Sequence, residues 1–175
     1  MKKIVLTFGL ISGAILSVMM MATMPFIDKI GPDRGMIIGY TTMVLAFLLV
    51  FFGIRSYREN IGQGQISFGR ALGVGLLIMV IASVCYVITW EIIYHTFLPD
   101  FIEKYSAHMV EQVRASGKSP EEITQEIERM KKFKALYNNI FFNLAVTFLE
   151  PLPIGLPMTL ISALILRKRR QDLQD

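Results

Sequence analysis

Three stretches of this chain carry no charged residue over at least a membrane thickness: residues 4–27, 35–54 and 71–90. A helix rises ~1.5 Å per residue, so about 20 apolar residues cross a ~30 Å hydrocarbon layer, and each stretch predicts a transmembrane helix. A fourth apolar stretch, 135–166, is interrupted only by Glu150. Its 32 residues would overshoot the bilayer as one helix, so only the C-terminal part is expected to span. The expected spans are therefore about 4–27, 35–54, 71–92 and 146–166. None alternates polar and apolar positions over ~10 residues, which excludes spanning β-strands.

The one sizeable polar segment lies between the third and fourth apolar stretches. In 100–134, 14 of 35 residues are charged, seven of each sign. Asp100 with Glu103, and Ser119 with Glu122 behind Pro120, have capping-box spacing. An apolar stripe at helical spacing follows each: Phe101, Tyr105 and Met109, then Ile123, Ile127 and Met130. Ala115, Ser116 and Gly117 supply a turn between them. The pattern predicts a helical hairpin whose stripes pack together or against the membrane surface.

Composition agrees with the periodicity. Of 175 residues, 53% are hydrophobic and 18% charged, too oily for an ordinary soluble domain and with no room for a large soluble catalytic one. The expected fold is all-α: a single membrane domain over 1–175, a four-helix bundle with an extracytoplasmic hairpin inserted at 100–134. Cys85 is the lone cysteine, which excludes an intramolecular disulfide or a cysteine-built metal cage. Lys2 and Lys3 before an apolar run resemble a secretory leader. The run is too long, however, and around Ala22 and Thr23 it lacks a small-x-small site, so a retained first helix is expected.

The net charge of +4 does not point to nucleic acid, because the basic residues gather at the ends of apolar runs. Lysines and arginines number nine on each side of a four-span arrangement, so position decides. Lys2, Lys3, Arg55, Arg58, Arg70 and the run Arg167, Lys168, Arg169, Arg170 lie close against span ends, whereas most of the opposing set is spread through the hairpin beside carboxylates. Cytoplasmic termini and an extracytoplasmic hairpin follow.

Two stretches carry a family resemblance. Gly53-Ile-Arg-Ser-Tyr-Arg-Glu-Asn with Gly64-Gln-Ile-Ser-Phe-Gly-Arg-Ala-Leu, and the ending Glu150-Pro-Leu-Pro-Ile-Gly-Leu-Pro with Leu160-Ile-Ser-Ala-Leu-Ile-Leu and a basic cluster, resemble the domain of unknown function 4199 family of small bacterial membrane proteins. The resemblance implies a four-span bacterial inner-membrane protein and implies no activity.

Glu150 is the most informative single residue. A carboxylate at the centre of a span costs roughly 2.5 to 3.5 kcal/mol on insertion scales, so it must face protein, water or the interface. Pro151, Pro153 and Pro157 free carbonyls on the preceding turn, as in helix segments that line transporter sites. Counting back 17 residues from Arg167 instead places Glu150 near the outer headgroups, where a carboxylate is cheap; this interfacial reading is preferred.

Glu91 and His95, four apart, share a helix face and can bind a divalent cation or pass a proton, but two donors are too few for a closed zinc site. Tyr86, Trp90 and Tyr94 around them read as the outer aromatic belt. Met19, Met20, Met21 and Met24 are better packing filler than a copper site. Arg55, Arg58 and Arg70 around the loop with Asn60, Gly62 and Gly64 are candidate lipid head-group contacts as well as orientation signals. Small residues four apart (Gly9 and Gly13, Gly35 and Gly39, Gly69 and Gly73, then Gly155, Thr159 and Ala163) mark a candidate close-packing face on each span.

No phosphate loop, His-Glu-x-x-His, Gly-x-Ser-x-Gly or dinucleotide turn occurs. No catalytic, cofactor or metal residue is therefore expected. The reading is a non-enzymatic inner-membrane component acting through protein or lipid contacts. Its partners would be the bilayer and either a second copy or another membrane protein, with no nucleic acid. The alternative is a small oligomeric transporter or ion-conducting subunit using Glu150 and the proline-broken fourth helix.

Overall fold

A computed structural model describes residues 1–168, and in them the chain is all-α, with no strand among the described residues. Arg169 and Arg170 of the basic run lie outside the described residues. Four segments are long and apolar enough to cross a membrane: Lys2–Phe26, Asp33–Asn60, Phe68–Thr96 and Ile140–Leu166. Helix α1 (Lys2–Thr23) ends in a 3-10 turn at Met24–Phe26, where Pro25 supplies no amide, and a single turn α2 (Ile27–Ile30) leads into α3 (Pro32–Asn60). After the 61–67 loop comes α4 (Phe68–Thr96), then the hairpin α5 (Phe101–Ala115) and α6 (Pro120–Tyr137). The fourth span is two helices, α7 (Ile140–Leu149) and α8 (Leu152–Leu166), joined at Glu150 and Pro151.

Close contacts fix the helix directions. A Cβ on Gly9 would stand 2.8 Å from Ile81 Cβ, and one on Gly13 would stand 2.6 Å from Cys85 Cβ, so α1 and α4 advance side by side in parallel. The Ser12 hydroxyl donates to the Ala46 carbonyl at 2.9 Å, while Gly53 lies against Phe8, so α3 runs opposite to α1. Gly75 against Thr159 and Gly155 against Met79 set α8 antiparallel to α4. Helices α3 and α4 thus form the short diagonal of the bundle, with α1 and α8 at the outer corners. Phe47, Val50, Ile54, Val74, Ile78 and Ala82 fill that diagonal with at most 1% exposure each.

The small-residue faces divide between spans. Gly9, Gly13, Gly155, Thr159 and Ala163 do lie at contacts, as expected. A Cβ on Gly39, Gly69 or Gly73 would meet nothing within 4 Å, and one on Gly35 only the Ile27 side chain. The close approaches of the second and third spans fall instead on Gly53 and Gly75, where Ile78, Ile54 and Val50 arrive from the facing helix. Spacing alone does not say which side of a helix meets a neighbour.

At one end of the bundle, the loop end, Ile66 and Lys168 exchange backbone hydrogen bonds of 3.1 and 3.0 Å and tie the 61–67 loop to the end of α8. Ser67 makes no side-chain capping bond to α4. At the opposite end the hairpin folds back over α4. Ser119 and Glu122 form the expected capping box, whereas Asp100, at φ −92 and ψ 9 instead of the extended conformation of Ser119, makes no side-chain cap, and Glu103 pairs across the hairpin with Lys134 at 3.2 Å. Gly117, with φ +71, makes the turn between the helices. The residue that seats α5 most deeply is Ile102, 1% exposed, which lies outside the expected stripe.

Trp90 and Tyr94 are correspondingly 5% and 8% exposed. They form a buried aromatic cluster with Phe101, Tyr105, Phe133 and Tyr137, not a lipid-facing belt, because the hairpin covers them.

Candidate functional site

Where the 97–101 connection and α5 lean over the hairpin-end halves of α3 and α4, a cavity of about 420 Å³ remains. Its apolar walls include Met24, Ile27, Met36, Phe97, Leu98 and Phe101, and Gly35 and Gly39 keep the α3 wall flat. Its polar groups are Tyr40, Tyr86, Tyr105, Asp100, Lys104 and Glu150. Met36, Tyr40 and Phe97 are 49%, 42% and 70% exposed, so the cavity opens sideways between α3 and α5. The hairpin crosses to α3 at the rim, where Gln112 Nε2 donates to Asp33 Oδ1 at 3.0 Å and His108 Nε2 stands 3.7 Å from the same oxygen.

Glu150 reaches this cavity because two prolines interrupt the fourth span. Pro151 and Pro153 have no N–H to offer the carbonyls of Thr147 and Leu149, so the ladder lapses at Glu150 and resumes with Gly155 donating to Pro151 at 2.8 Å. The Tyr86 hydroxyl donates to Glu150 Oε2 at 2.9 Å, and no basic side chain among the described residues forms an ion pair with this carboxylate. Sixteen residues of helix from Leu166 place Glu150 about 24 Å from the loop end of the span. The ten residues of α7, eight of them apolar, continue beyond it.

The surrounding phenols sit in low-polarity surroundings. Burial pushes the Tyr105 hydroxyl above its ordinary value, and the negative charge of Glu150 pushes it further. Burial likewise takes the Tyr137 hydroxyl up to about 12, against the opposing effect of the hydrogen bond it accepts from Trp90 Nε1 at 2.9 Å. Both phenols stay neutral at physiological pH and act as hydrogen-bonding groups.

The other expected positions do not join this cavity. His95 Nε2 lies 3.2 Å from Glu91 Oε2, without hydrogen-bond geometry, and with side-chain exposures of 62% and 16%. No third carboxylate, imidazole or thiol joins them, and no cluster of three such groups exists among the described residues. The three arginines do not form one site: two share Glu59 and the third stands apart. Arg55 Nε pairs with Glu59 at 3.0 Å, while Arg58 pairs with Glu59 at 3.3 Å and donates to the Leu166 carbonyl at the end of α8 at 3.4 Å. Arg70 lines a separate polar cavity of about 450 Å³ with Tyr57, Gln63, Gln65 and Lys168.

Sequence reasoning named Glu150 and Tyr86 but did not bring them together, and it passed over Tyr40. Tyrosine inside the apolar stretch 35–54 was the available signal, since a phenol kept there needs a polar neighbour or an interface.

The chain matches no curated protein and no solved structure. The model of one family, described as a protein of unknown function (DUF4199), matches residues 7–168. Four long apolar helices make this a multi-pass membrane protein, and the match over nearly its whole length makes the chain a member of the DUF4199 family.

Proposed function

We propose that this protein is a non-enzymatic component of the bacterial inner membrane that holds a lipid or lipid-like amphiphile in the cavity beneath its hairpin, with both termini cytoplasmic and 100–134 extracytoplasmic. One observation carries the reading: a cavity of about 420 Å³ that opens sideways at the hairpin end of the spans, with apolar walls and polar groups gathered round Glu150 and three tyrosines. The volume falls in the range of small-molecule sites, roughly 300–1,000 Å³, and its polarity follows an amphiphile's, apolar at the wall and polar at few points.

The test is photolabelling in membranes with a diazirine-bearing single-chain amphiphile. Peptides containing Met36, Tyr40 and Phe101 should be labelled above peptides of the exposed outer face such as Ile88, and Gly39→Leu should block the excess. Gly39 lines the cavity and its Cβ direction is open, so leucine there fills space without a core clash. Labelling of the cavity no stronger than that of Ile88 would overturn the reading.

The freed carbonyls at the α7–α8 join favour a second reading, an ion-conducting or transporting subunit built from several copies around Glu150. Ion flux in vesicles reconstituted with the purified protein, abolished by Glu150→Gln, would establish it instead.

A further inference from the structure

We propose that the group held in this cavity is an alkylammonium on an apolar tail, with the Glu150 carboxylate as its counter-ion; the inference rests on the amphiphile reading above. The charges lining the cavity are unbalanced. Two carboxylates, Glu150 and Asp100, line the cavity against one ammonium, Lys104. Glu150 accepts a single hydrogen bond, from Tyr86, and has no ion-pair partner among the described residues. A carboxylate has about four acceptor positions, so the described side chains leave room for further donors beside Tyr86. Glu150 is exposed toward this cavity, whose walls are largely apolar, and a cation brought beside the carboxylate there meets less competition from water than at an open surface.

The neighbours suit an ammonium better than an anion. Tyr40, Tyr86 and Tyr105 offer phenol oxygens that accept N–H donors, and ring faces whose quadrupole attracts a cation. Tyr86 cannot serve an anionic head group equally well, because its proton is already given to Glu150. A sulfate or phosphate seated there would face that carboxylate directly. The sideways mouth bordered by Met36 and Phe97 leaves room for a tail to continue into the acyl region of the outer leaflet. Two sources carry this chemistry: the ethanolamine head group of a phospholipid, and a soluble lipophilic amine.

The full chain, purified in a neutral maltoside detergent, tests the inference through its single tryptophan. Trp90 stacks edge-on against Phe101 at 4.8 Å, and Phe101 lines the cavity. Dodecylammonium, dodecyltrimethylammonium and dodecyl sulfate are titrated against Trp90 emission. The two ammonium compounds should give saturable changes at concentrations at least tenfold below dodecyl sulfate, and Glu150→Gln should weaken them about tenfold or more, the range for a hydrogen bond to a charged group. Head-group selectivity is read on the unaltered protein, so the test survives a Glu150→Gln chain that fails to fold. Equal binding of all three heads, or tighter binding of the sulfate, would overturn the ammonium assignment and leave the amphiphile reading in place. Saturable binding of none would overturn both.

Nanodiscs separate the two sources. Phosphatidylethanolamine retained at one copy per chain, seen by native mass spectrometry, identifies the lipid. Dodecylammonium taken up from water with no retained phosphatidylethanolamine identifies the free amine. Retention of neither overturns the inference.

Discussion

Trp90 donates its indole N–H to the hydroxyl of Tyr137 at 2.9 Å, joining residues 47 positions apart and fixing the end of α6 to the third span. Tyr94 and Phe101 pack on the same rings, with centroid separations of 4.8 to 5.9 Å to Trp90. This buried cluster, and not the membrane surface, is what the hairpin docks on. Tyr137→Phe keeps the ring packing and leaves a buried N–H unpaired, which costs about 1–3 kcal/mol. The hairpin should then be cut faster by protease, with sites in 100–134, while the four spans still insert. Unchanged protease half-life would mean that the bond does not hold the hairpin down.

Hairpin stability should also depend on pH through its capping box. The Ser119 amide and hydroxyl both donate to Glu122, at 2.9 and 2.8 Å, and hold its carboxyl below the usual carboxylate range. A depressed folded value means that the contribution is complete above the unfolded value of about 4.3 and is lost as pH falls through the folded value. Glu128, lowered by Lys131, shifts in the same sense, so the informative quantity is the difference between wild type and Glu122→Gln. Followed by protease resistance from pH 7 to 3, that difference should shrink as pH drops. A constant difference would refute the linkage.

Gly75 and Gly73 are two residues apart on α4 and should respond oppositely to a methyl group. A Cβ on Gly75 would stand 2.6 Å from Thr159 and 3.0 Å from both Ile54 and Val50, whereas one on Gly73 meets nothing within 4 Å. Gly75→Ala should destabilise the bundle by about 1–3 kcal/mol, read as a lower melting temperature in detergent, and Gly73→Ala should leave it unchanged or raise it. Equal effects would show that α4 does not meet α3 and α8 through Gly75.

The proposed orientation has a direct test. Lys118 lies in the turn between α5 and α6 and is exposed. A Lys118→Cys chain with Cys85→Ala should react with an impermeant maleimide added to intact spheroplasts. Reaction only after lysis would invert the topology.

Much of this architecture is written in the chain because the bilayer is a demanding solvent. Backbone groups in hydrocarbon must be satisfied locally, so charge-free runs of membrane length can only be helices, and a polar segment with a capping box and apolar stripes can only be helical outside them. The four spans, the hairpin and its Ser119–Glu122 cap were legible on that ground. Tertiary structure alone decided which faces meet. Gly53 and Gly75 carry close contacts while Gly69 and Gly73 carry none, because lipid is as apolar as leucine and the pattern holds no record of which side is buried. Trp90 and Tyr94 were placed against lipid by the same ambiguity, until the return of the hairpin covered them. The site has this character too: its carboxylate stood out in the sequence as a charge in an apolar run, but Tyr40, Tyr86 and Tyr105 come to it from three helices, and only the folding of 97–105 over α3 and α4 makes them one cavity.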